Sequence, residues 1–174
     1  MGRKRRKLAG VGKIEIRDED EMKIETTLKV NGLSYQVDID PHATLSRTVR
    51  EVIGLTGTKE GCDDSECGAC MMLLDGKPVN SCSYLALQAE GSEITTVEGL
   101  SIGDEMSALQ KSFLQCGGVQ CGFCTPGMLI SATSLLAANP HPTETEVRIG
   151  LSGNLCRCTG YDGIVKAVLA SAEG

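Results

Sequence analysis

Residues 61–70 read Gly-Cys-Asp-Asp-Ser-Glu-Cys-Gly-Ala-Cys, and they bring three cysteines into one short segment. A fourth cysteine follows after eleven further residues, so that Cys62, Cys67, Cys70 and Cys82 have the spacing C-x4-C-x2-C-x11-C. Thiols packed this densely along a chain favour metal ligation over disulfide bonds. The segment therefore predicts a loop that folds around a metal centre.

A second group of four cysteines has a different spacing. Cys121, Cys124, Cys156 and Cys158 form the pattern C-x2-C-x31-C-x-C, and the two groups together hold eight of the nine cysteines. Four thiolates are the ligand set of a [2Fe–2S] or [4Fe–4S] cluster, and a C-x4-C-x2-C run is typical of plant-type [2Fe–2S] proteins. The sequence thus predicts two iron–sulfur centres, whose chemistry is the transfer of single electrons.

Zinc is the alternative occupant of these groups. Cys121–Cys124 together with Cys156–Cys158 would also suit a four-thiolate zinc site, and the chain would then be a zinc-stapled interaction module whose basic N-terminal run binds a polyanion. The C-x4-C-x2-C run and the C-x-C pair are atypical of zinc spacings, which favours iron. The ninth cysteine, Cys116, is predicted to be a non-ligand thiol that packs as a small apolar side chain.

Composition and charge narrow the class of protein. Only 3% of the 174 residues are aromatic, so each half of the chain is marginal on hydrophobic burial alone and would gain from a bound metal. The net charge of −6 gives no general reason to expect nucleic-acid binding. The basic run Arg3–Lys7 and the acidic run Asp18–Glu21 predict a solvated, disordered tail over residues 1–21. The sequence contains no run of 18 apolar residues, so no membrane span is predicted. The cysteine usage favours a reducing cytoplasm.

The pattern of strands and turns over residues 22–98 predicts a small sheet. Two strand-like runs, Ile24–Val30 and Leu33–Ile39, flank Asn31-Gly32, and a second hairpin from Cys70 to Cys82 turns at Asp75-Gly76. Further predicted elements are a helix over Thr44–Gly54, a short helix over Ser83–Ala89 and a last strand over Ile94–Val97. Two hairpins, a helix and a final strand are typical of the β-grasp sheet of plant-type ferredoxins.

Residues 99–174 have helical rather than strand periodicity. The predicted helices are residues 104–114, a helix to about Ala138 with Thr125 as N-cap and Pro126 at its first position, a helix opened by the capping box Thr143-x-x-Glu146, and a last helix capped by Asp162 that runs to about Ala172. The chain is therefore expected to be an α+β protein, with an N-terminal β-grasp ferredoxin-like domain and a C-terminal four-helix domain that meet near residue 98. Cys124 directly precedes a helix, whose dipole is expected to favour its thiolate.

Three sequence runs resemble one family. Residues 61–70, Gln120-Cys-Gly-Phe-Cys-Thr-Pro-Gly-Met128 and Leu155-Cys-Arg-Cys-Thr-Gly-Tyr161 closely resemble the small iron–sulfur subunit of the xanthine oxidase family of molybdenum hydroxylases. That family includes xanthine dehydrogenases, aldehyde oxidoreductases, aerobic-type carbon monoxide dehydrogenases, N-heteroaromatic hydroxylases and 4-hydroxybenzoyl-CoA reductase. The resemblance covers residues 22–172.

The resemblance implies one [2Fe–2S] cluster in each domain, held by the first and the second cysteine group respectively. It also implies that Gln120 and Cys158 contact the pterin of a molybdenum cofactor that a large partner subunit holds. Electrons would pass from molybdenum to the second cluster, then to the first, and on to FAD of a medium subunit or to another acceptor. A heterotrimer or a dimer of heterotrimers is the implied assembly, with no catalytic residue on this chain.

Two further alternatives remain at this stage. The ferredoxin-like half alone would suit a free-standing two-cluster carrier, although the implied pterin contacts of Gln120 and Cys158 have a purpose only beside a cofactor-bearing partner. Within the family, the subunit of a reductive dehydroxylase of the hydroxybenzoyl-CoA type would have the same motifs.

Overall fold

The computed structural model describes residues 23–101, 103 and 105–172, which form a sheet-containing N-terminal part and a helical C-terminal part. The tail predicted over residues 1–21 lies outside the described residues. Within the described ranges, no helix combines the length and the apolar character that crossing a membrane requires.

The N-terminal part is built on a mixed five-stranded sheet, in the spatial order β2-β1-β5-β3-β4. Strands β1 and β5 pair in parallel and the other neighbours are antiparallel. The two predicted hairpins are present, and both turn residues of each hairpin have positive φ, as a two-residue type I′ turn requires. The strands are β1 Ile24–Val30, β2 Leu33–Ile39, β3 Met71–Leu74, β4 Lys77–Asn80 and β5 Glu93–Thr95.

Helix α1 covers one face of the sheet and differs in detail from the sequence prediction. It starts as an α-helix over Leu45–Arg47, widens into a π-helix over Thr48–Ile53, and ends at Gly54 with a φ of 87°. Leu45 and Val49 are buried as predicted, but Val52 is 51% exposed. A π-helix has more residues per turn than an α-helix, so the apolar face expected at an α-helical period rotates away from the core.

Two short 3₁₀ helices replace longer predicted elements in this part. The helix predicted over residues 83–89 is confined to Ala86–Ala89, and the last strand ends at Thr95, before a 3₁₀ helix over Val97–Leu100. The core between the sheet and α1 includes the fully buried side chains Leu28, Val30, Leu45, Val49, Met72 and Ile94.

The C-terminal part contains four helices, as the periodicity predicts. They are α2 Ala108–Gln115, α3 Thr125–Ala138, α4 Glu144–Gly150 and α5 Asp162–Ala172. Helix α2 begins later than residue 104, because Ser107 and Gln110 form a capping box that fixes its first turn. The capping box predicted for Thr143 and Glu146 opens α4. Thr125 and Asp162, the predicted N-caps, are instead the first residues of α3 and α5, because each helix starts one residue earlier than predicted, and Cys124 occupies the N-cap position of α3.

The two parts meet along a seam of buried polar contacts and close backbone approaches. The Leu155 amide donates to the Cys67 carbonyl at 2.9 Å, and the buried Asn154 side-chain amide donates to the Gly68 carbonyl at 2.9 Å. A Cβ added at Gly127 would overlap the Gly68 carbonyl oxygen, so α3 also approaches this point without a side chain between. The seam joins the loop that precedes Cys156 to the loop that holds Cys67.

Gly68 is the residue at which this seam is most sensitive to a side chain. Its φ is +68°, and a Cβ there would overlap the Gly153 carbonyl oxygen and lie 2.7 Å from Asn154 Nδ2. Gly68→Ala should lower the free energy of unfolding by about 3 kcal/mol, since the left-handed backbone costs an alanine roughly 1 kcal/mol and the forced overlap adds about 2 kcal/mol. Urea unfolding monitored by circular dichroism measures the loss.

Gly76→Ala is the matched control for this prediction. Gly76 has a similar φ of +77°, but no atom lies within 4 Å of its added Cβ. This variant should lose only the backbone contribution of about 1 kcal/mol. Equal losses in the two variants would show that the seam does not need a glycine.

Candidate metal centres

The first cysteine group lies on the loop before β3 and at the ends of the second hairpin. Cys62 and Cys67 are half-buried on the loop, and Cys70 and Cys82 are buried next to the ends of β3 and β4. The Cys67 amide donates to Cys62 Sγ at 3.4 Å, and the pKa of Cys70 is raised by burial and by the neighbouring Cys82 thiol. The four predicted ligands therefore come together as two pairs.

A polar frame fixes the backbone around this group. Asn80 Nδ2 donates to the Ser65 carbonyl at 3.0 Å, and Ser81 Oγ donates to the Cys70 carbonyl at 2.6 Å. Asp63 and Ser65 have φ values of 60° and 68°, which turn the chain back on itself within the loop. Such left-handed positions are uncommon outside glycine and persist where the surrounding structure fixes them.

Helix α1 holds the segment that enters the loop, and sequence reasoning missed these contacts. Ser46 Oγ donates to Glu60 Oε1 at 2.5 Å, and the Arg50 guanidinium donates to the carbonyl oxygens of Thr56, at 3.0 Å, and Thr58. No spacing rule in the sequence links a helix serine or arginine to carbonyls of a later loop. Glu60 directly precedes Gly61 and Cys62 in the sequence, so its contact with α1 holds the start of the cysteine loop in place.

The second cysteine group is also arranged as two pairs, but one pair faces solvent. Cys121 and Cys158 are exposed and their sulfurs are 3.4 Å apart. Cys124 is buried at the start of α3, and its pKa is raised by burial and by the neighbouring thiol of the half-buried Cys156. Gln120, the residue before Cys121, is exposed beside the surface pair.

The loop over residues 156–161 closes on itself through Tyr161. Its hydroxyl oxygen accepts a hydrogen bond from the Cys156 amide at 2.7 Å, and its φ is 71°. Thr159 Oγ1 lies 3.0 Å from Cys156 Sγ, and the Thr159 amide donates to the same sulfur at 3.5 Å. Hydrogen bonds of this kind orient a ligating sulfur and stabilise its anionic form.

Burial and hydrogen bonding move the thiol pKa values in opposite directions. Burial raises the pKa of Cys70 to about 12 and that of Cys124 to about 12. Hydrogen bonds from the Phe123 amide and from Cys158 lower the pKa of the exposed Cys121. The helix dipole was expected to favour the Cys124 thiolate, but burial outweighs it. A bound cation would supply the positive charge that a buried thiolate needs.

The donor chemistry of both groups fits a two-iron cluster. A [2Fe–2S] cluster takes two protein ligands on each iron, so it needs two pairs of thiolates, and each group provides two pairs. Over residues 23–101, 103 and 105–172, no three His, Cys, Asp or Glu side chains close on a single-ion site. Cys116 is half-buried at the C-terminal end of α2 and packs against the helical core.

Tyr161→Phe tests the closure of the second loop. Removal of the hydroxyl oxygen leaves the half-buried Cys156 amide without its acceptor and should lower the free energy of unfolding by about 1–2 kcal/mol. Chemical denaturation of the purified protein measures the loss. Tyr84→Phe, at a half-buried tyrosine packed against the N-terminal core, is the matched control and should change stability by less. An equal effect of both variants would contradict a role for the Tyr161 hydrogen bond.

Comparison with known proteins gives matches over both parts of the chain. A family described as the 2Fe-2S iron-sulfur cluster binding domain matches residues 28–95. A second family, described as the [2Fe-2S] binding domain, matches residues 96–169. Together these family models span the ranges that contain the first and the second cysteine group.

Curated relatives and a solved structure extend these matches over almost the whole chain. The nicotinate dehydrogenase small FeS subunit of Eubacterium barkeri is 47% identical over 87% of this chain and 96% of its own length. The nicotine 6-hydroxylase small subunit of Paenarthrobacter nicotinovorans is 52% identical over 84% of this chain and 88% of its own. A chain of quinoline 2-oxidoreductase from Pseudomonas putida 86 superimposes with a TM-score of 0.85, at 50% identity over 87% of this chain and 94% of that one. The chain therefore belongs to the family of small [2Fe–2S] iron–sulfur subunits of xanthine dehydrogenase, aldehyde oxidoreductase and related molybdenum hydroxylases.

Proposed function

We propose that this chain is the electron-transfer subunit of a molybdopterin-dependent hydroxylase or dehydrogenase, and that it conducts electrons between a molybdenum cofactor and FAD or another acceptor. The observation that carries the proposal is the grouping of eight cysteines into two sets of two thiol pairs, joined by one seam. Membership of the small iron–sulfur subunit family supports the same role.

The proposed ligand sets follow the two groups. Cys62, Cys67, Cys70 and Cys82 would hold the first [2Fe–2S] cluster, and Cys121, Cys124, Cys156 and Cys158 the second. When bound, such a cluster takes up and releases one electron at a time. The chain's own residues position the sulfurs, exclude solvent from Cys70 and Cys124, and donate hydrogen bonds to Cys62 and Cys156.

The exposed pair of the second group supports a partner on that side. Cys121 and Cys158 present their sulfurs to solvent, and Gln120, the residue before Cys121, is exposed. We propose that this surface meets the large subunit, with Gln120 and Cys158 in contact with the pterin. A medium FAD subunit would lie on the side of the first cluster, in a heterotrimer or a dimer of heterotrimers.

Substrate recognition is assigned to the partner in this proposal. Relatives named for nicotinate and for nicotine are 47% and 52% identical to this chain, so similar small subunits belong to enzymes named for different substrates.

We place the boundary between the two cluster domains between residues 98 and 99. This is three residues after the point where the first family match ends, at residue 95, and the second begins, at residue 96. A reducing cytoplasm is the proposed location, because eight thiols must remain reduced to bind iron.

Metal analysis and electron paramagnetic resonance test the proposal. The purified complex, reduced with dithionite, should contain about four iron atoms in this chain and give two distinct S = 1/2 signals, the result expected for two [2Fe–2S] centres. Zinc with neither signal would contradict electron transfer and would support the zinc-stapled module. Two signals from a chain that purifies without partners would instead support the free-standing carrier.

Cysteine substitutions test the proposed ligand sets. Cys121→Ser should remove one of the two signals and about two iron atoms, because one iron of the second centre loses a thiolate. Cys116→Ser is the matched control, since Cys116 packs against the same helical core outside both groups, and its iron content should equal that of the wild type. Loss of iron from Cys116→Ser would overturn the ligand assignment.

A further inference from the structure

The sulfur of Cys156 has a hydroxyl neighbour that no role described above requires. Thr159 Oγ1 is 3.0 Å from Cys156 Sγ, and the Thr159 amide approaches the same sulfur at 3.5 Å. Both groups come from one residue, three positions after the cysteine. This sulfur therefore lies within reach of two hydrogen-bond donors, an N–H and an O–H.

The environment of Thr159 leaves its hydroxyl proton available to the Cys156 sulfur. The Tyr161 amide donates to Thr159 Oγ1 at 3.2 Å and so occupies an acceptor site of that oxygen. A hydroxyl has one proton to donate and two acceptor lone pairs, so accepting from Tyr161 leaves the proton available for Cys156 Sγ. If Cys156 ligates iron, its sulfur is anionic and has no proton to donate, so the contact with Thr159 Oγ1 would be an O–H···S hydrogen bond.

The first group offers an instructive contrast. Ser65 Oγ lies 3.9 Å from Cys82 Sγ, but it donates its proton to Ser83 Oγ at 2.5 Å. Ser83 Oγ donates in turn to the Asn80 carbonyl at 3.1 Å. The proton of the hydroxyl beside Cys82 is therefore engaged elsewhere, whereas the Thr159 proton has Cys156 Sγ within 3.0 Å of its oxygen.

We propose that the Thr159 hydroxyl tunes the second centre, by donating a hydrogen bond to the Cys156 sulfur that raises the reduction potential of the cluster. One electron enters the centre on reduction, and the added negative charge spreads over the sulfurs. A fixed donor stabilises the reduced state more than the oxidised state, which favours electron uptake. The inference rests on the proposed function, because it requires Cys156 to ligate a [2Fe–2S] cluster.

The test is a redox titration of the holo-complex, followed through the S = 1/2 signal that Cys121→Ser removes. In Thr159→Val, which keeps the side-chain shape, the midpoint potential of this signal should shift to lower values. At a fixed potential, the loss of one charge-assisted hydrogen bond should lower the ratio of reduced to oxidised centre about tenfold. For a one-electron couple, this change corresponds to a fall of about 59 mV in the midpoint potential. The other signal should keep its potential.

Two variants serve as controls. Thr159→Ser retains the hydroxyl and should keep the wild-type potential; a shift as large as that of Thr159→Val would assign the effect to the methyl group and overturn the proposal. Ser65→Ala removes the hydroxyl whose proton is engaged by Ser83, and it should leave the potential of the first centre unchanged. A shift at the first centre equal to that at the second would contradict the distinction between the two hydroxyls.

A deuterium measurement detects the hydroxyl directly. After exchange into D2O, pulsed electron paramagnetic resonance should detect one exchangeable deuteron coupling at the second centre of the wild type and of Thr159→Ser that is missing in Thr159→Val. Equal coupling in Thr159→Val and in the wild type would overturn the proposal. Absence of both signals from the wild type would contradict the proposed function itself, whereas two signals whose potentials are insensitive to Thr159 would overturn only this inference.

Discussion

The arrangement of both cysteine groups depends on two neighbouring hydrogen bonds, in which the Cys67 carbonyl accepts from the Leu155 amide and the Gly68 carbonyl accepts from the Asn154 side chain. Cys67 belongs to the first group, and Leu155 directly precedes Cys156 of the second, so this seam fixes the separation of the two groups. The contact is possible because Gly68 has no side chain and has a left-handed backbone. In the proposed function, the two cysteine loops need a constant separation for electron transfer. Hydrogen bonds to main-chain carbonyl oxygens, which vary little in position, hold that separation.

Within each loop, the fold opposes the ionisation that metal binding requires. Burial holds Cys70 and Cys124 in their neutral forms, and hydrogen bonds favour the thiolates of the more accessible Cys62 and Cys121. Iron would reverse this balance, because its positive charge deprotonates a coordinating thiol. In small units with few aromatic side chains, the free energy of metal binding then becomes part of the free energy of folding. A bound metal would therefore add to the stability that the hydrogen bonds of the cysteine loops already provide.

The two cysteine groups differ in their exposure to solvent. The first group is enclosed by the contacts of α1 and by the polar frame of Ser65, Ser81 and Asn80. The second group presents the Cys121 and Cys158 sulfurs to solvent next to Gln120. A surface of this kind suits contact with a cofactor in another subunit, and the solved relative from Pseudomonas putida 86 is part of an oxidoreductase.

The sequence by itself determined both cysteine groups, the two hairpins and the capping box of α4, because ligand spacing, two-residue turns and caps depend on residues close along the chain. Family resemblance at the same motifs identified the family. The tertiary structure alone decided the division of each group into thiol pairs, the exposure of Cys121 and Cys158, and the π-helical turn that exposes Val52. It also decided the seam at Gly68, and burial raises the pKa of Cys124 against the effect expected of the helix dipole. These features arise between residues up to 86 positions apart or from the balance of burial against local hydrogen bonds, and neither quantity is encoded in a spacing pattern.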